Sequence, residues 1–188
     1  MIAEGYRWFG TFTGVALLTV ATLPVVVLLV CALAARRSAT GTAPAWAWRR
    51  SLAEAGIVYG TVPWVWMTML PGSRAGEIAG RVSPVPLLDL LTMGPAQIVG
   101  NLLVFAALGF FAPLRFAALA SVPRILALAA SCSALVEVAQ YVLQLDRVSS
   151  VDDVLLNAAG AGLAALASHR WWRTPGRTSV QSTAPSLR

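Results

Sequence analysis

Residues 9–35 contain no charged side chain over about 27 positions, and a run of that length matches the roughly 30 Å hydrocarbon core of a bilayer with some tilt. Pro24 lies inside it and is tolerable in a membrane helix. Apolar runs recur at residues 97–114, 125–143 and 154–167, and residues 51–70 form another that only Glu54 interrupts. The chain is 57% hydrophobic and 12% charged, against about half and about a quarter in soluble domains. The fold expected is all-α, a polytopic transmembrane bundle of about five helices. A signal peptide is the alternative for the first run, since CALAA offers a small-residue cleavage pattern. It is the weaker reading, because the run is long and only Arg7 precedes it.

Arginine placement gives an orientation. The 36–50 loop, the 115–124 loop and the tail together hold ten of the fourteen basic residues, and the alternate connections hold four. The asymmetry predicts an N-terminus outside and a cytoplasmic C-terminus. It divides the chain into two N-terminal helices with a basic cytoplasmic loop (1–70), an extracytoplasmic link (71–96), a three-helix core (97–168) and a basic, disordered cytoplasmic tail (169–188). PVPLLDLLTMGP, within the link, is too short and broken to span, which suits an interfacial or re-entrant segment. The net charge of +6 is thereby a topology signal and an attraction to anionic lipid, and no nucleic-acid partner is expected. Glu54 lies close to Arg49 and Arg50, where an ion pair or snorkelling at the membrane edge is expected.

Cys31 and Cys132 both lie in apolar runs, the setting of buried thiols rather than a disulfide framework or a zinc site. The single histidine, His169, follows the last run. There is little material for a His-dependent active site, and no metal or cofactor is expected.

The polar residues of 135–163, LVEVAQYVLQLDRVSSVDDVLLNAAGAGL, need a reason in so apolar a chain. Glu137 and Gln140 share a helix face at i and i+3. Glu137 falls two turns, about 10 Å, below the following link. Asp153 and Asn157 share a face of the last helix, with Gly160 and Ala164 continuing it. Asn101, on the third span, falls at comparable depth. Five polar side chains from three helices can converge there beneath Arg147, in the outer leaflet. Structural readings stay open beside this one. Asp152 or Asp153 can cap the last helix, Arg147 can be a solvated loop charge, and Asn101 and Asn157 can be interhelical hydrogen bonds. Glu137, costly as a buried carboxylate, must pair, be protonated or face a wet cavity. A Glu137–Arg147 or Glu137–Asn157 lock is its structural reading.

Two blocks resemble the VanZ-like family, named for a protein associated with teicoplanin resistance. GNLLVFAALGF is similar to an asparagine-led helix of that family at Asn101, Phe105 and Gly109. Residues 137–160 resemble its signature at Glu137, Gln140, Arg147, Asp153, Asn157 and Gly160. The resemblance covers residues 97 to about 167. Ala107 stands where the family has a proline, so a helix kink is expected to be missing. Ala164 stands where it often has a second glycine, with Gly162 nearby.

The resemblance implies a multi-pass protein of a bacterial plasma membrane, with a polar site for a lipid head group or lipid-linked cell-envelope component. It also implies antibiotic resistance as a role, a lowered glycopeptide (teicoplanin) susceptibility. On this reading Asn101, Glu137, Gln140, Arg147, Asp153 and Asn157 bind, while Phe105, Gly109 and Gly160 are structural. The alternative from the residues is an intramembrane enzyme acting on an envelope lipid, with Glu137 and Asp153 as acid and base and Arg147 stabilising a developing anion. Against it stands the lack of an evident nucleophile. A non-catalytic scaffold is the third reading.

Overall fold

The computed structural model describes residues 10–172. Helices α1 (Phe12–Ala39) and α2 (Pro44–Thr68) pack on each other as a hairpin. Helices α3 (Pro95–Val104) and α4 (Ala106–Arg115) follow one another across Phe105 as a single span, Pro95–Arg115. Helices α5 (Val122–Val142) and α6 (Val151–Ser168) complete an all-α membrane bundle.

Among the described residues, four helices are long and apolar enough to cross a membrane: α1, the α3–α4 span, α5 and α6 with its terminal turn. The hairpin helix α2 is long but less apolar, because Glu54 and its Tyr, Trp, Gly and Pro residues dilute its aliphatic content. The buried share of these spans separates their roles: 11% for α1 and 44% for α6. The short, Ala/Gly-rich α6 is the centre of the bundle, touching α3, α4 and α5, while α1 turns most of its surface outward. Around α6 the core is Val104, Phe105, Ala112, Ile125, Ala129, Ala161 and Ala165.

Small residues make this packing close. A side chain on Gly160 would run into the Leu102 backbone of α3, and one on Gly109 would run into the Ala161 backbone of α6. Gly162 instead backs onto the Leu126 side chain of α5, and Ala164 is half-buried. The two close approaches lie on either side of Phe105, whose φ of −113° and ψ of 12° end α3 and begin α4. The kink expected to be missing is therefore present without a proline. The break frees each half-helix to settle on its own contact with α6, and the ladder resumes with Gly109 N–H donating to the Phe105 carbonyl at 2.9 Å.

At the end of the bundle where α1 finishes, Glu54 corrects another expectation. Its carboxylate pairs with Arg37 of α1 at 2.5 Å and with Arg115 of α4 at 2.6 Å, rather than with its sequence neighbours Arg49 and Arg50. Arg49 donates instead to the Trp171 carbonyl. The chain continues past α6 through a 3-10 turn, His169–Trp171, with the Trp172 indole donating to Ser168 at 2.9 Å. The remainder of the tail expected to be disordered lies outside the described residues.

The opposite end carries the 71–96 link. Its strand β1 (Arg81–Ser83) pairs in parallel with β2 (Val148–Ser150), Arg81 opposite Val148 and Ser83 opposite Ser150. The two connections are thereby stitched together: Gly72 N–H donates to Leu145 and Gly76 N–H to Gln144. Gln144 and Asp146 take left-handed backbone angles, φ 49° and 54°, which turn the chain from α5 into β2.

Candidate functional site

Between these connections and the helices lies a cavity of about 650 Å³, within the roughly 300–1,000 Å³ typical of small-ligand sites. All six residues singled out for binding, Asn101, Glu137, Gln140, Arg147, Asp153 and Asn157, lie on its wall. They come from α3, α5, the 143–147 link and α6. Phe12, Trp64 and Val136 are among its apolar wall residues, and Arg81 and Asp146 also line it.

Exposure falls from rim to floor. Arg81 is 55% exposed at its side chain, Arg147 is half-buried, and Glu137, Gln140 and Asn157 are 9%, 6% and 4% exposed. Each side chain has a partner that the fold positions. Gln140 Nε2 donates to the Thr68 carbonyl at 2.8 Å, and Arg147 donates through Nη2 and Nε to the Leu70 carbonyl at 3.2 and 3.4 Å. Thr68 is the last residue of α2, whose final carbonyls have no intrahelical donor and carry the negative end of the helix dipole, and Leu70 lies just past the helix's C-cap, Met69. Gln140 thus caps a helix remote in sequence and Arg147 holds the chain that leaves it, both while lining the cavity.

Glu137 forms neither lock considered for it, with Arg147 or with Asn157. Its Oε2 accepts from Ser150 N–H at 3.1 Å, and its own carbonyl accepts from Ser149 Oγ at 2.9 Å, so β2 folds down beside the end of α5. Asn101 Nδ2 donates to Asp153 Oδ1, joining α3 to α6. Asn157 Nδ2 donates to Ser133 Oγ at 2.7 Å, joining α6 to α5, while its buried Oδ1 has no partner among the described residues.

Neither Asp152 nor Asp153 is the N-cap of α6, the structural reading open for them. Ser150 Oγ caps α6 by accepting from Asp152 N–H at 3.1 Å. The Asp152 carboxylate, 2% exposed as a residue, reaches across to the Leu87 and Leu90 amides at 2.5 and 3.0 Å and holds the link onto the core. Ser150 Oγ also donates to Asp89 at 2.6 Å, and with Ser83 holds the Asp89 carboxyl below the usual carboxylate range. Phe105 is in the core, and Gly109 and Gly160 form the close crossings, none of them on the cavity wall.

Two wall residues, Arg81 and Asp146, lay beyond local sequence reasoning. Asp146, 10% exposed at its side chain, pairs with Arg81 at 3.7 Å and Arg74 at 4.0 Å and accepts from Arg74 N–H at 3.1 Å. These partners reach Asp146 only through the pairing of β1 with β2.

The cavity offers carboxylates, guanidinium groups and amides within an apolar shell, a set suited to charge-assisted hydrogen bonding of a polar group. Comparison with curated proteins and with solved structures finds no match. The VanZ/LLP1 family model matches residues 25–172, which include α2 to α6 and every wall residue named here except Phe12. The chain belongs to the VanZ/LLP1 family, as a multi-pass membrane member of it.

Proposed function

We propose that this protein holds a lipid head group or lipid-linked envelope component in the cavity, on the outer side of a bacterial plasma membrane, and lowers teicoplanin susceptibility without modifying the drug. The observation that carries this reading is the convergence of six polar side chains from three helices and a link around one cavity, in a bundle whose outer surface is apolar. The arginine asymmetry supports the orientation: the cavity lies at the end of the bundle opposite the Arg37, Glu54 and Arg115 cluster. Expression in a susceptible host tests the claim. The wild type should raise the teicoplanin concentration needed to stop growth, and Glu137→Ala, at matched membrane abundance, should not. Equal susceptibility in wild type, variant and empty control removes the resistance role.

A second reading, an intramembrane enzyme, is favoured by one observation: Glu137 and Asp153 face the same cavity and can serve as acid and base. Turnover of an envelope lipid by purified protein, lost in both Glu137→Gln and Asp153→Asn, would establish it. A scaffold role predicts instead that Glu137→Gln reduces folded yield.

A further inference from the structure

The cavity has a chemical polarity of its own. Its three deeper side-chain amides each donate within the protein, Asn101 Nδ2 to Asp153, Gln140 Nε2 to Thr68 and Asn157 Nδ2 to Ser133, while the amide of Gln97 lies on the exposed part of the wall. Asn157, 4% exposed, keeps its buried Oδ1 without a partner among the described residues. A buried acceptor left unsatisfied is unusual enough to call for a donor. Nearby, Glu137 and Asp153 line the same space, and among the described residues neither forms an ion pair, whereas Asp146 near the rim has Arg81 and Arg74. The guanidinium groups of Arg81 and Arg147 occupy the more exposed part of the wall. Arg81 thus lies toward the mouth, Arg147 and Asp153 lie at intermediate depth, and Glu137 and the Asn157 acceptor lie toward the floor.

We propose that the cavity takes an ammonium-bearing phosphodiester, the head group of an aminophospholipid. The primary ammonium donates to Asn157 Oδ1 and faces Glu137 and Asp153, and the phosphodiester lies toward Arg147 and Arg81. This inference rests on the head-group reading above and names its ligand class. A primary ammonium supplies N–H donors and positive charge together. A quaternary ammonium supplies charge without donors, and a glycerol head group supplies donors without a cation. The polar floor and apolar walls suit a head group that enters with its acyl chains still in the bilayer.

The test is thermal stabilisation, with native mass spectrometry, of delipidated full-length protein in detergent. The probes are phosphatidylethanolamine, phosphatidylcholine and phosphatidylglycerol of matched chains, and soluble glycerophosphoethanolamine. The expected result is tighter retention of phosphatidylethanolamine than of the other two lipids. Asn157→Leu should lower that preference roughly tenfold, the scale of one charge-assisted hydrogen bond, and Asn157→Asp, which keeps an acceptor, should preserve it. Glu137→Gln is the second variant should Asn157→Leu not fold, with the same loss expected. Binding of glycerophosphoethanolamine in preference to the intact lipid assigns the same chemistry to a soluble source. Equal binding of all three lipids, abolished by Glu137→Ala, overturns the ammonium assignment and leaves the head-group site standing. Absence of binding by every probe to folded protein overturns both.

Discussion

Gly160 has no room for a side chain where α6 crosses α3, because any Cβ there runs into the Leu102 backbone rather than a movable side-chain tip. Gly160→Ala should therefore cost about 1–3 kcal/mol, the usual range for overpacking, seen as a lower unfolding temperature in detergent; an unchanged transition would contradict the close crossing. A different residue-scale test concerns Asp152. Leu87 holds a left-handed backbone angle, φ 66°, with its amide donated to the Asp152 carboxylate. Asp152→Ala should speed hydrogen exchange at the Leu87 and Leu90 amides by on the order of tenfold, since a charged acceptor is lost. Exchange as slow as in the wild type would count against the tether. The polar residues themselves were legible because an apolar run makes each one conspicuous, and helical spacing put Glu137 with Gln140 and Asp153 with Asn157. Their partners were not. Gln140 and Arg147 reach carbonyls 72 and 77 positions away, and no local pattern announces a bond to the end of another helix.

Elements were read with unequal success for physical reasons. Hydropathy exposes α1, the 97–114 run, α5 and α6, because lipid and core alike demand apolar side chains. It blurs α2, which begins at Pro44, before the apolar run, and carries Arg49, Arg50 and Glu54 in its first half. The break at Phe105 has no proline to signal it and follows from two tertiary contacts with α6. Glu54 joins three elements: bonded to Arg37 and Arg115, it fixes α1 and α4 to α2. It is 31% exposed at its side chain, so the pairs are partly screened. Glu54→Gln should then cost about 1 kcal/mol, and added salt should narrow the gap between wild type and variant. The measurement is the unfolding temperature at low and high ionic strength. A gap that widens with salt would mean that the contacts are not electrostatic.

At the scale of the molecule, function depends on which side of the membrane the cavity opens. The cavity and the paired connections lie at one end, and the Glu54 cluster with the 36–50 loop lies at the other. With Cys31 and Cys132 replaced, a membrane-impermeant maleimide should label Ser73→Cys in intact cells and Thr40→Cys only after permeabilisation; the reverse pattern would invert the orientation proposed here. The central claim, that a lipid head group occupies the cavity, has a direct test in cross-linking. A phospholipid carrying a diazirine in its head group is incorporated into membranes holding the full-length protein, and the adducts are mapped by mass spectrometry. The account predicts adducts on cavity-wall peptides containing Thr68, Asn101 and Arg147, suppressed in Glu137→Ala. Adducts confined to the outward face of α1, with the cavity wall unlabelled, would contradict it.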